Sequence, residues 1–186
     1  MSILNITYED TVGKGKPLPN ARWAGIFEEA SVQPEGNGTR FFARIGQITT
    51  PDGAAEYTNG GATAPYRIGN RKVFVREWTD HQSAQAAEIG QRRLKQIAMA
   101  TGIVPKPAKG ETVTVPFETY EQLAQAIVGT KVLFTTKQSN RLTKKPDARA
   151  AWSLANEGRE APALVPALDA DGEQIVDVEV AAFHVA

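Results

Sequence analysis

Two short runs of the chain alternate basic and aromatic side chains. Arg40, Phe42 and Arg44 take every second position in one, and Lys72, Phe74, Arg76 and Trp78 in the other. In a β-strand the side-chain period is two, so each set would lie on one face. Cations neutralise phosphates and release counterions, and aromatic rings give unpaired bases a surface on which to stack. Phe41, Ala43 and Ile45, with Val73, Val75 and Glu77, would form the opposite faces. The competing arrangement buries Phe42, Phe74 and Trp78 as core. It would also bury the cations between them, which is costly unless they are paired. Arg71, Lys131 and Lys137 extend the basic set, so the candidate nucleic-acid-binding residues are Arg40, Phe42, Arg44, Arg71, Lys72, Phe74, Arg76, Trp78, Lys131 and Lys137.

Catalytic and metal chemistry find little support. The chain has two histidines and no cysteine. His81 falls at an expected helix start, and no histidine pair has metal-ligand spacing. Gly13-Lys14-Gly15-Lys16 lacks the Gly-Lys-Ser/Thr ending of a phosphate loop. Asp169, Asp171 and Gly172 resemble the start of a calcium loop, but its twelfth position is Val180 rather than Glu. Glu28 and Glu29 are adjacent, and adjacent residues of a regular strand face opposite sides, so they are not expected to share a site. No catalytic residue, metal or cofactor is expected.

The elements that must position the candidate face follow from pattern. Arg22 to Val32 reads as a first strand with Trp23 in the core, and Pro34-Glu35-Gly36-Asn37-Gly38 as the turn into a second strand at 39–50. Residues 51–65 form a long Gly-rich connection, and the third strand runs to Trp78. Thr79-Asp80 offers N-cap candidates for a helix stopped by Gly102, with Ala87, Gly90, Leu94, Ile97 and Thr101 as its apolar stripe. Gly90 on that stripe implies close approach to the sheet, whereas Arg92, Arg93 and Lys95 lie off it and are expected to be solvated. Thr112–Val115 suggests a short strand, Phe117–Val128 a second helix and Lys131–Lys137 the last core strand. The pattern is mainly β with one or two helices: a five-stranded barrel of the oligonucleotide-binding type, helix before the last strand. A general α+β sheet domain is the alternative.

These elements divide the chain into an N-terminal arm (1–20), a domain (21–138) and a basic linker followed by an acidic tail (139–186). The 21 bases and 21 acids cancel, but residues 157–186 hold seven acids and one base, leaving the rest at +6. A tethered acidic segment can occupy a basic groove or recruit partners. Residues 174–180 alternate like a strand that could return to a sheet edge. The N-terminus lacks the pattern of a signal peptide and no stretch reaches the length of a membrane span, so a cytoplasmic protein without membrane contact is expected.

The order and texture of Trp-Ala-Gly-Ile-Phe (23–27), Arg-Phe-Phe-Ala-Arg (40–44) and Lys-Val-Phe-Val-Arg-Glu-Trp (72–78) resemble a bacteriophage family of single-stranded DNA-binding proteins. The likeness continues through Arg-Arg-Leu-Lys-Gln-Ile-Ala (92–98) and Leu-Ala-Gln-Ala-Ile-Val-Gly-Thr-Lys-Val (123–132), covering about 20 to 138. The chain departs from it in the long loop at 51–65 and the segment after 140. The resemblance implies an oligonucleotide-binding fold and a role in phage DNA replication or recombination, in the cytoplasm of a bacterial host. The expected partners are single-stranded DNA, further copies of the chain, and phage or host replication and recombination proteins through the tail. The competing classes are a structural or assembly protein of a phage particle and an inhibitor that binds a host protein.

Overall fold

A computed structural model describes residues 17–58, 66–170 and 172–185. The described chain divides into two compact units, one running to Lys137 and resuming at Glu179, the other spanning Gln138–Val178.

The first unit is built on a five-stranded sheet. β1 (Arg22–Glu35) and β2 (Gly38–Thr49) form a long antiparallel hairpin, and β2 pairs antiparallel with β5 (Val73–His81). On its other side β1 pairs antiparallel with β6 (Lys131–Asn140), and β9 (Val176–His184) follows, giving the order β5-β2-β1-β6-β9. The connection after β2 carries a two-stranded ladder of β3 (Glu56–Tyr57) and β4 (Tyr66–Arg67). The mainly β architecture is therefore as expected, but the sheet does not close into a barrel. Its fifth strand also comes from the segment expected to be tail, so the compact unit does not end near 138. The period-two apolar pattern of Val176, Val178 and Val180 is what a sheet can use, and acidic composition did not outweigh it.

One face of the sheet is the core. Trp23, Phe27, Phe41, Ile45, Val73, Val75, Val132 and Phe134 are all buried there. α1 (Ala84–Ala100) packs on β5, and α2 (Tyr120–Ile127) packs on β1. Ser83, not Thr79 or Asp80, caps α1, because β5 runs on to His81. Gly90 lies against the backbone of Trp78: a Cβ there would stand 2.0 Å from the Trp78 carbonyl oxygen. Glycine thus permits the close approach that the sequence pattern implied. Residues 112–115 form no strand, and the second helix begins at Tyr120, where Thr119 accepts the N–H of Gln122.

Polar ties complete the unit. The Trp23 indole donates to Thr136 Oγ1 at 2.7 Å, and the Thr136 hydroxyl donates to the Pro19 carbonyl at 2.7 Å. Leu18 is buried, so the described end of the N-terminal segment packs rather than forming an exposed arm. The Gly-Lys-Gly-Lys run at 13–16 and the loop tip at 59–65 lie outside the described residues, as does Asp171.

Arg93 is not solvated as expected. Its Nε donates to Glu77 Oε1 at 3.0 Å, and its two terminal nitrogens donate to the carbonyls of Val180 and Ala181. Its guanidinium also lies 5.2 Å from the Phe183 ring. One side chain on α1 thus ties β5 to β9, the two ends of the open sheet. Burial pushes the Glu77 carboxyl up, and the Arg93 hydrogen bond and charge partly oppose that rise. Helical spacing hid this role, because the partner strand comes from a remote part of the chain.

The second unit is small. β7 (Leu142–Thr143) pairs with β8 (Val165–Pro166), and α3 (Pro146–Ala155) starts on a proline at its first turn. Arg149 donates to the carbonyls of Ala161 and Pro162, and Arg141 forms a two-pronged pair with Asp177. Arg141 of the expected linker and Asp177 of the expected tail therefore pair within a folded segment. In keeping with this, Asp177 is held below the usual carboxylate range by its hydrogen bonds from Arg141.

Candidate nucleic-acid interface

The face of β2 and β5 away from the core carries the alternating side chains. The register places Arg40 opposite Trp78, Phe42 opposite Arg76 and Arg44 opposite Phe74. Each cation thus faces an aromatic ring on the neighbouring strand, forming a checkerboard. A bulge ends this register at Arg40. Thr39 pairs with Asp80 and Arg40 with Trp78, so Thr79 is the extra residue. Thr79 turns inward and donates its hydroxyl to the Thr39 carbonyl at 2.9 Å.

The arrangement with the aromatics inside is not the one adopted. Phe41, Ile45, Val73 and Val75 form the core, and Phe74 is 60% exposed. The three rings are not equivalent, however. The Arg40 guanidinium lies 3.8 Å from the Trp78 ring centroid, and the His81 ring stands 4.3 Å from it, so Trp78 is already engaged. Phe42 has Arg76 at 5.8 Å. Phe74 is the open platform, beside a shallow groove lined by Glu29, Ser31, Gln33, Phe42, Arg44 and Arg76.

Three glutamates stand among the cations. Arg44 Nε lies 3.1 Å from Glu28 Oε2, and another Arg44 nitrogen reaches Glu29. Lys72 Nζ is 3.7 Å from the same Glu28 oxygen, and Arg40 is 3.3 Å from Glu35. Arg76 has no carboxylate partner among the described residues.

The expectation that Glu28 and Glu29 face opposite sides fails for a physical reason. Phe27 pairs with Ile45 and Glu29 with Arg44, so Glu28 is an extra residue in β1, and the bulge turns both carboxylates to Arg44. Gly46 makes room beneath them: a Cβ there would come within 2.2 Å of the Glu28 carboxylate. A regular period-two reading of β1 carries no sign of that insertion. The Arg-Ile-Gly sequence of 44–46 carries none either, since the clash at Gly46 exists only in the folded register.

The remaining candidates are not gathered here. Arg71 precedes β5 and lies 6.0 Å from the Tyr66 ring. Lys131 and Lys137 are exposed on β6, which is three strand positions from β5, roughly 14 Å in a sheet with ordinary spacing. Among the described residues no group of three metal-ligating side chains occurs, and no helix is long and apolar enough to cross a membrane. His184 bonds Thr135 Oγ1 at 2.7 Å, and burial, with Arg22 nearby, lowers its imidazole from the ordinary value.

No known family model matches the chain, and no curated protein matches it.

Proposed function

We propose that the outer face of β2 and β5 binds single-stranded DNA without strong sequence preference, and that this serves phage DNA replication or recombination. The observation that carries this reading is the checkerboard: cations opposite aromatics on two paired strands, with Phe74 open to solvent. Successive bases would stack on Phe74 and Phe42, while Arg76, Arg44 and Lys72 meet the backbone. Stacking contributes roughly 1–3 kcal/mol per base and tolerates any base, because every base has a π face. Trp78 acts mainly by seating Arg40.

The topology supports an oligonucleotide-binding type of fold. Counted as strands one to five, β1, β2, β5, β6 and β9 lie in the order three-two-one-four-five, with α1 and α2 between three and four. A barrel would need strand three against strand five, and Arg93 bridges those two. The proposed face lies on strands two and three, as it does in that fold.

Titration of a labelled oligothymidine with the full chain at several salt concentrations tests the reading. Binding that weakens with salt, with a slope of about −0.7 per phosphate contact, supports it. Absence of binding at low salt rejects it in favour of an assembly or protein-binding surface. Deleting residues 157–186 is not a usable test of autoinhibition by the tail, because it removes β9 from the sheet.

A further inference from the structure

We infer that Glu28, Glu29 and Glu35 make this face selective for unpaired strands over duplex; the inference rests on the function proposed above. Phosphates are common to single strands and duplexes, so a face that bound by cations alone would take both. Here three of the four cations are already partnered. Glu28 and Glu29 hold Arg44, Glu28 also meets Lys72, and Glu35 holds Arg40. With Arg76 as the fourth cation, four positive groups against three carboxylates leave the face at +1.

Phosphate contact alone is therefore weak, because each backbone oxyanion must displace a carboxylate or lie beside one. What remains on offer is stacking on Phe74, and a duplex keeps its base faces inside the helix. Only an unpaired strand can use both the ring and the residual positive charge. The carboxylates are built into the face rather than scattered on it. The β1 bulge aims Glu28 and Glu29 at one guanidinium, and Gly46 leaves the space that the Glu28 carboxylate fills.

Replacing all three acids by glutamine keeps their size and removes three negative charges. Each freed cation that gains a phosphate contact should strengthen binding by about fivefold for a single strand and about eightfold for duplex near 0.1 M salt, and steepen the salt slope by about 0.7–0.9. The test measures anisotropy of a labelled oligothymidine and of a mixed-sequence duplex of the same length, with the full chain and its E28Q/E29Q/E35Q variant. A thermal melt of each checks the fold. Glu29→Gln alone serves as the second variant, because Glu29 is 64% exposed and its loss leaves Glu28 on Arg44.

The inference predicts that the unaltered chain binds the single strand well and the duplex poorly. In the triple variant, three freed contacts should raise duplex affinity by about fourfold more than single-strand affinity near 0.1 M salt, because the slope per contact is about 0.9 on duplex against about 0.7 on a single strand, and in Glu29→Gln the same shift should appear on a smaller scale. Equal gains for both ligands, or no gain for duplex in either folded variant, overturn it while leaving single-strand binding intact. If the unaltered chain binds no single strand, the proposed function falls and the selectivity falls with it.

Discussion

Two arginine–glutamate pairs in this protein use the same chemistry for different ends. Arg93 and Glu77 join α1 to β5, and the remaining Arg93 donors reach backbone carbonyls of β9. Their side chains are 19% and 15% exposed. Arg44 and Glu29 lie on the outer face, where Glu29 is 64% exposed and Arg44 is held by side-chain carboxylates. A guanidinium whose donors are taken up by fixed backbone groups is a structural part. One held only by side-chain carboxylates, of which Glu29 faces solvent, can exchange that partner for another anion. The difference lies in burial and in the partners, not in residue type.

The comparison is broken most directly by removing each arginine. Arg93→Ala should cost about 3 kcal/mol, because it leaves Glu77 half-buried without its partner and two β9 carbonyls without their donor. Arg44→Ala should cost less than about 1 kcal/mol. Urea denaturation measures both, and equal losses would erase the distinction. Gly90→Ala tests the seat on which the Arg93 side rests. A Cβ meeting the Trp78 backbone should cost about 2 kcal/mol, since neither element can yield without moving the other.

Acidity sharpens the same contrast. Burial raises the folded Glu77 carboxyl above the ordinary glutamate value of the unfolded chain. The folded protein then holds a proton that the unfolded chain has lost, so this contribution is fully present below that value and is lost as pH rises through the folded one. Denaturation midpoints across that window should show the decline, and Glu77→Gln should flatten it. The smallest effect on stability is expected at Arg76, which is exposed. Arg76→Ala should leave stability within about 0.5 kcal/mol. It should also reduce the salt slope of oligothymidine binding by about 0.7.

The parts of the molecule that obey a simple period could be read before folding. The alternation of 40–44 and 72–78 identified both faces of β2 and β5, and spacing alone picked out the Gly90 contact and the burial of Trp23. What could not be read depends on an inserted residue or on a remote strand. The bulge at Glu28 reversed a side-chain direction, and no composition or period marks it. Arg93 lies on the polar flank of its helix, and only the arrival of β9 buries it. The alternation at 174–180 did point to a strand returning to a sheet edge, as β9 does, whereas the acids of the same segment pointed to a tail. Trp78 was read as a stacking surface, but Arg40 opposite it already occupies a ring face.

The central claim concerns Phe74, an aromatic ring left 60% exposed among cations on an otherwise well-packed sheet. The decisive measurement is the affinity of Phe74→Ala for oligothymidine, taken together with its denaturation curve. The account predicts that affinity falls by about tenfold or more, the loss of one stacked base, while stability changes by less than about 0.5 kcal/mol. Unchanged affinity in a folded variant would contradict it.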